Sequence, residues 1–253
     1  MIILVSNDDG IRAAGIQALE AALAPLGEVW VVAPDREQSA ASHSLSLYRP
    51  LRVDRIDARH FAVDGTPTDA VNLGINGIMP QKPDLVVSGI NHGGNLGDDI
   101  TYSGTVSAAM EGTLLGVPSI AVSLVVRHRG EGSPAPEFGP AASFTARLAR
   151  VMLERSMPRD TLLNVNVPGV PSAELRGHVV TRQGKRRYGD AIVEHLDPRG
   201  RKYYWIGGDD LGFVPAEGTD CTAVAEGYIS VTPLHLDLTN YASIAVINEL
   251  KIE

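Results

Sequence analysis

The chain has 253 residues, with 30 Asp plus Glu against 22 Lys plus Arg, a formal net charge of −8, 44% hydrophobic residues and one cysteine. Ordinary apolar content excludes a disordered chain, and a lone Cys221 excludes both a disulfide framework and zinc modules built on cysteine clusters. The acidic balance argues against a nucleic-acid coat, so no stable nucleic-acid partner is expected, although a local site can still oppose the overall charge and take a small anion.

The N-terminus, MIILVSNDDG, has too short an apolar run for a signal peptide or a spanning helix, so the chain reads as cytoplasmic with no membrane partner. Residues 2–5 read as a buried strand, followed by a helix with Ile16, Leu19, Leu23 and Leu26 on one face, closed by Gly27. Residues 29–33 form a second strand ending at Pro34; residues 84–88 and 119–124 are further strands. Between those two lies a helix marked by Val106, Met110 and Leu114 that stops at Gly116. A longer helix covers about 141–155, with Phe144, Leu148, Val151 and Met152 on one side, and 162–167 is another strand. Uniformly apolar strands separated by helices predict an α/β fold, a mostly parallel sheet with helices on both faces.

After about residue 170 the pattern changes. The stretches 178–188 and 199–208 read as a two-strand arm with a mixed-charge loop between them, and 237–252 as a terminal helix. The organisation expected is a single domain over 1–253, with a core of about 1–170 and an arm and C-terminal segment of about 171–253. A long hairpin is marginal alone in water, so Tyr203, Tyr204 and Trp205 call for a partner, most simply a second copy of the chain. The one low-complexity stretch is the loop at 129–140.

Four segments carry the chemistry. Asp8 and Asp9 follow the first strand, where ligands of open parallel sheets bind; adjacent carboxylates repel, and a hard cation would stabilise both. Capping of the next helix by one Asp is the competing reading, and Gly10 allows a tight turn after the pair. The hydroxyl-rich run 35–44, which contains Ser39, reaches the same sheet edge; a polar loop is its plainer reading. The run SGINHGGNLG at 88–97 has neither dinucleotide-fingerprint nor P-loop spacing, yet it places Asn91 at a distance from its strand comparable to that of Asp8. Ser103, Gly104 and Thr105 open the helix that ends at Gly116, either as an anion site or as a simple cap by Ser103. Oxygen donors of this kind suit Mg²⁺ or Mn²⁺, and a hard metal beside an anion pocket points to phosphate chemistry. His43, His92 and His235 are open between acid–base work and capping or packing.

These motifs, with DPRGRKYYWIGG and GYISVTPLHLDLT further on, resemble the SurE survival-protein family over nearly the whole length. The resemblance implies a Rossmann-like fold whose C-terminal arm is exchanged between subunits, giving homodimers or homotetramers. It implies a metal-dependent 5′-nucleotidase acting on nucleoside monophosphates, with reach to 3′-nucleotides and short polyphosphate. Carried over by position, the metal ligands are Asp8, Asp9, Ser39 and Asn91. On the residues' own chemistry, a phosphomonoesterase here would use the same two aspartates in catalysis and hold the phosphate with Ser103, Gly104 and Thr105, with Asn95 nearby. Gln38 stands where many members carry a basic residue. Two rivals are an aspartyl-phosphate enzyme, which would place Asp-x-Asp rather than adjacent acids after the strand, and a non-catalytic metal- and nucleotide-binding oligomer. The basic residues Arg182, Lys185, Arg186, Arg187, Arg199, Arg201 and Lys202 would either capture polyphosphate or a nucleic-acid end, or pair with Asp190, Glu194 and Asp197 on a solvated arm.

Overall fold

In chain order the computed structural model contains β1 (Ile2–Ser6), α1 (Ala14–Leu23), β2 (Glu28–Pro34), β3 (Val53–Arg55), β4 (His60–Val63), α2 (Pro67–Leu73), β5 (Leu85–His92), α3 (Gly104–Leu114), β6 (Ser119–Val125), α4 (Gly139–Glu154) and β7 (Thr161–Pro168). It continues with β8 (His178–Val180), β9 (Arg186–Tyr188), β10 (Ile192–Leu196), β11 (Lys202–Ile206), β12 (Asp210–Phe213), α5 (Asp220–Ala225), β13 (Ile229–His235) and α6 (Tyr241–Asn248). The structure describes residues 1–126, 136–155, 157–188, 192–206 and 210–250. Most of the 129–140 loop, Asp190 and the last residues of the expected terminal helix lie outside the described residues.

Nine strands form one sheet in the order β3-β4-β2-β1-β5-β6-β7-β13-β8. The pairs from β4 to β7 are parallel, as the unbroken apolar runs predict, with β3 and β13 antiparallel to their neighbours β4 and β7. Because side chains alternate along a strand, β1 feeds two cores. Ile3 and Val5 join Ile16, Leu19 and Leu23 of α1 and Phe144 and Met152 of α4 on one face. Leu4 faces the other way, with Val32, Val86, Val71 of α2 and Ala108 of α3. Val151, read onto the buried side of α4, is exposed. Strand order reverses at β1, which has β2 on one side and β5 on the other, so the carboxyl ends of β1 and β5 flank a topological switch point.

The C-terminal third departs from the sequence-based expectation in three ways. The core does not stop near residue 170, since β13 and β8 complete the main sheet. Residues 178–188 and 199–208 are not mates: β10 pairs with β11, and β9 with β12. The reason is local. Asp197 Oδ1 accepts from the backbone N–H groups of Arg199 (2.8 Å) and Arg201 (2.9 Å), so the Asp-Pro-Arg-Gly-Arg run closes a tight turn and the supposed loop before it becomes a strand. Thirdly, the terminal helix starts only at Tyr241, after a turn in which Asp237 accepts from the Thr239 N–H at 2.9 Å. Several arm cations are paired, as on a solvated arm: Arg201 with Asp197 at 2.9 Å and Lys202 with Glu194 at 3.0 Å. Among the described residues, no helix is long and apolar enough to cross a membrane.

Candidate active site

Gly10, at φ 96°, turns the chain sharply after the two aspartates and leaves Asp8 pointing at the first turn of α3. Asp8 is 5% exposed. Its Oδ2 accepts from the Thr105 backbone N–H at 3.1 Å, and its Oδ1 accepts from the Thr105 hydroxyl. A carboxylate at a helix start is favoured by the dipole. The approach is close enough to require glycine at position 104, where an added Cβ would stand 2.8 Å from the Asp8 Cβ. The expected anion site at this helix start is thus partly occupied by the protein's own carboxylate. Ser103 is buried and does cap α3, its Oγ accepting from the Val106 N–H at 3.0 Å.

Asp9 is less buried, and its Oδ2 accepts from the His92 N–H at 3.2 Å, which ties the end of β1 to the end of β5. Asn91 sits one residue before that tie; its amide N–H donates to Gly93 O at 2.8 Å, which leaves the side-chain oxygen as its acceptor end. The loop after β2 is brought in by a bond from the Gln38 N–H to Asp8 O at 2.8 Å. Ser39, next along, donates its hydroxyl to Glu37 at 2.7 Å, and its oxygen keeps lone pairs for another partner.

Asn95 sits apart from this group. Its N–H donates to Asn166 at 2.8 Å, its side-chain amide to Ser123 at 2.7 Å, and its carbonyl accepts from Asn164 and Asn166, both at 2.9 Å. The expected phosphate ligand is therefore built into a buried amide network across β6 and β7. Of the three histidines, His92 packs edge-on against Phe138, and His235 accepts from the Asp237 N–H at 3.1 Å. His43 Nε2 lies 3.0 Å from Glu111 Oε2, within hydrogen-bonding distance. Cys221 is buried and its thiol is pushed up to about 12, chiefly by that burial, so it is an inert packing group.

Electrostatics mark the aspartate pair. Burial pushes the Asp8 carboxyl from 3.8 up to about 6, against the Thr105 bond that lowers it, with Asp9 adding a like-charge push. Burial also raises Asp9, with Glu37 adding to it and the His92 N–H opposing. The Asn7 side-chain oxygen, immediately before the pair, is buried without a hydrogen-bond partner. Acceptors outnumber donors here, and a cation satisfies such a set. Among the described residues, no group of three or more His, Cys, Asp or Glu side chains gathers at a possible metal position. A metal at Asp8 and Asp9 would therefore draw on amide, hydroxyl and water oxygens, the donor chemistry of a hard cation.

The sequence had no signal for Thr105 as the partner of Asp8, or for the His92 N–H as that of Asp9. It did carry one for Glu111: a lone acid among small and apolar residues, in GTVSAAMEGTL, on a helix without a polar face.

Fold and site together define an α/β protein of Rossmann-like architecture with a carboxylate pair suited to a hard cation at its switch point. The comparisons make this specific. The family model described as Survival protein SurE matches residues 3–190. A protein of Geobacter sulfurreducens named 5′-nucleotidase SurE is 62% identical over 98% of this chain and 92% of its own. One of the same name from Geotalea uraniireducens is 59% identical, over 98% of both. The crystal structure of SurE from Aquifex aeolicus superposes with a TM-score of 0.85 at 48% identity, covering 98% of each chain. The chain belongs to the SurE family.

Proposed function

We infer that this chain is a 5′-nucleotidase, a metal-dependent phosphomonoesterase that hydrolyses nucleoside 5′-monophosphates to nucleoside and inorganic phosphate. The observation that carries this reading is the buried aspartate pair fastened to the first turn of α3, in a chain so similar to proteins of that name. The donor set fits Mg²⁺ or Mn²⁺, with Asp8, Asp9, Ser39 and Asn91 as ligands. Bound there, the cation supplies positive charge for the phosphoryl oxygens and makes water more acidic.

The chain's own residues divide the remaining work. Thr105 fixes Asp8 by both of its bonds, so Asp8 serves as a rigid ligand. Asp9 is the more open of the two and is raised by burial, which suits it to take a proton from the attacking water. Ser103, still able to donate its hydroxyl, and the Gly104 N–H at the positive end of α3 orient the phosphate. Asn95 is proposed as a neighbour of that pocket, its side chain fixed by Ser123. A covalent role for Asp8 is disfavoured because both of its oxygens already accept from Thr105.

The exposed arm is proposed to join copies of the chain as a homodimer or homotetramer. A single buried, free cysteine suits a reducing compartment, and we place the enzyme in the cytoplasm. The test is phosphate release from a panel of nucleoside monophosphates with Mg²⁺, Mn²⁺ or chelator. Metal-dependent release from 5′-monophosphates is expected, along with loss of turnover in Asp8→Asn; full activity in excess chelator or in that variant overturns the reading.

A further inference from the structure

We propose that His43, held by Glu111, is a positioning residue that sets Ser39 into the cation site from the same helix that fixes Asp8. The proposal rests on the reading above, in which Ser39 is a metal donor.

The segment from Asp35 to Tyr48 has no regular helix or strand. Ala40 at φ 58° and Ser42 at φ 53° lie in the left-handed region, which residues with a Cβ rarely adopt. Such a path does not hold itself, so its anchors decide where Ser39 stands. Upstream, the Gln38 N–H is bonded to Asp8 O at 2.8 Å. Downstream, Ser42 donates through its backbone N–H to Tyr102 O (3.2 Å) and through its hydroxyl to Thr101 O (2.8 Å). Next comes His43, whose Nε2 lies 3.0 Å from Glu111 Oε2.

Glu111 is 5% exposed, on α3, and both of its oxygens are engaged. Asn72 of α2 donates its side-chain amide to Oε1 at 2.6 Å, and the ring of His43 donates to Oε2. The His43 bond, then the Asn72 bond, holds this carboxyl below its usual range against the cost of burial. A carboxylate buried beside His43, Asn72 and Asp69 is a liability unless its bonds serve something. Here the bond to His43 clamps one exposed loop, while the bond to Asn72 of α2 steadies the carboxylate. The first turn of α3 grips Asp8 through Thr105, and Glu111, about two turns further on, grips the Ser39 loop. One helix thereby sets the spacing between two donors that arrive from separate strands.

The experiment measures Mn²⁺ binding to the full chain by the electron paramagnetic resonance signal of free Mn²⁺, with far-UV circular dichroism as the check on folding. His43→Ala is expected to weaken binding about 10- to 100-fold, the usual effect of removing a group that orients a ligand. His43→Gln keeps an N–H donor on a side chain of similar reach and is expected to recover to within about threefold of the native chain. Should the alanine variant fail to fold, His43→Asn, a donor too short to reach Glu111, is read in its place. Native-like Mn²⁺ affinity in the Ala or Asn variant, with Asp8→Asn abolishing binding, overturns this inference and leaves the metal-site reading intact. A glutamine variant as weak as alanine also overturns it. Unchanged affinity in Asp8→Asn sinks the metal-site reading itself.

Discussion

Two ends of the molecule handle unfavourable surface in opposite ways. At the switch point the chain buries charge: Asp8, Glu111 and a belt of amides are shut away and bonded by helix ends, hydroxyls and neighbouring loops. On the arm it exposes apolar area, with Trp205 at 64%, Ile206 at 93% and Ile192 at 67% exposed on one hairpin. The helix α6 behaves like the arm, leaving Tyr241, Ile244, Val246 and Ile247 in solvent. Buried charge calls for a counter-ion and exposed apolar area for a covering surface. The first need points to a small ligand and the second to a macromolecular one, here proposed to be another copy of the chain.

The comparison breaks first at Asp8. Its carboxyl is raised from 3.8 to about 6, so the charge is less comfortable in the folded chain than in the unfolded one. Stability from this group is complete below pH 4, falls as pH rises through 6, and is down by about 3 kcal/mol at pH 7.5 without metal. Urea unfolding in chelator should therefore show Asp8→Asn more stable than the native chain at pH 7.5, by up to about 3 kcal/mol, with the gain gone by pH 4. No gain at pH 7.5 would mean that the buried charge is already compensated within the chain. Next comes Gly104→Ala, whose new Cβ must push Asp8 away; turnover of a nucleoside 5′-monophosphate should fall about 100-fold, since small displacements at a reacting centre carry that cost. The smallest effect on the fold is expected at the arm. Tyr204→Ser combined with Trp205→Ser should change monomer stability by less than about 0.5 kcal/mol, as surface changes do, while sedimentation shows the assembled mass falling toward 26.9 kDa. An assembly of unchanged mass would remove the arm from the interface.

The parallel core was legible because its strands are apolar on both faces and its helices keep a strict period, which is why Ile16, Leu19 and Leu23 are buried as read. The antiparallel strand β13 was not, because ISVTPLH carries a proline and two hydroxyls inside a strand, and only its place between β7 and β8 makes it core. At the site, Asp8 and Asp9 follow the end of β1 as read, but β5 runs on to His92, so Asn91 lies inside its strand and not beyond one ending at 88. Asn95 and Thr105 follow different logic, since their partners, Asn166 and Asp8, lie 71 and 97 residues away. Long-range hydrogen bonds leave no periodic trace.

The family match ends at residue 190, yet β13, at 229–235, lies hydrogen-bonded between β7 and β8. A fragment cut at the match boundary would strip β7 along 161–166, turning an interior strand into a bare rim with open N–H and C=O groups. It would also remove Asp220, whose carboxylate accepts from the Gly97 N–H at 2.8 Å just ahead of the turn into α3. Any shortened form of this protein should therefore keep the chain through His235, the end of β13.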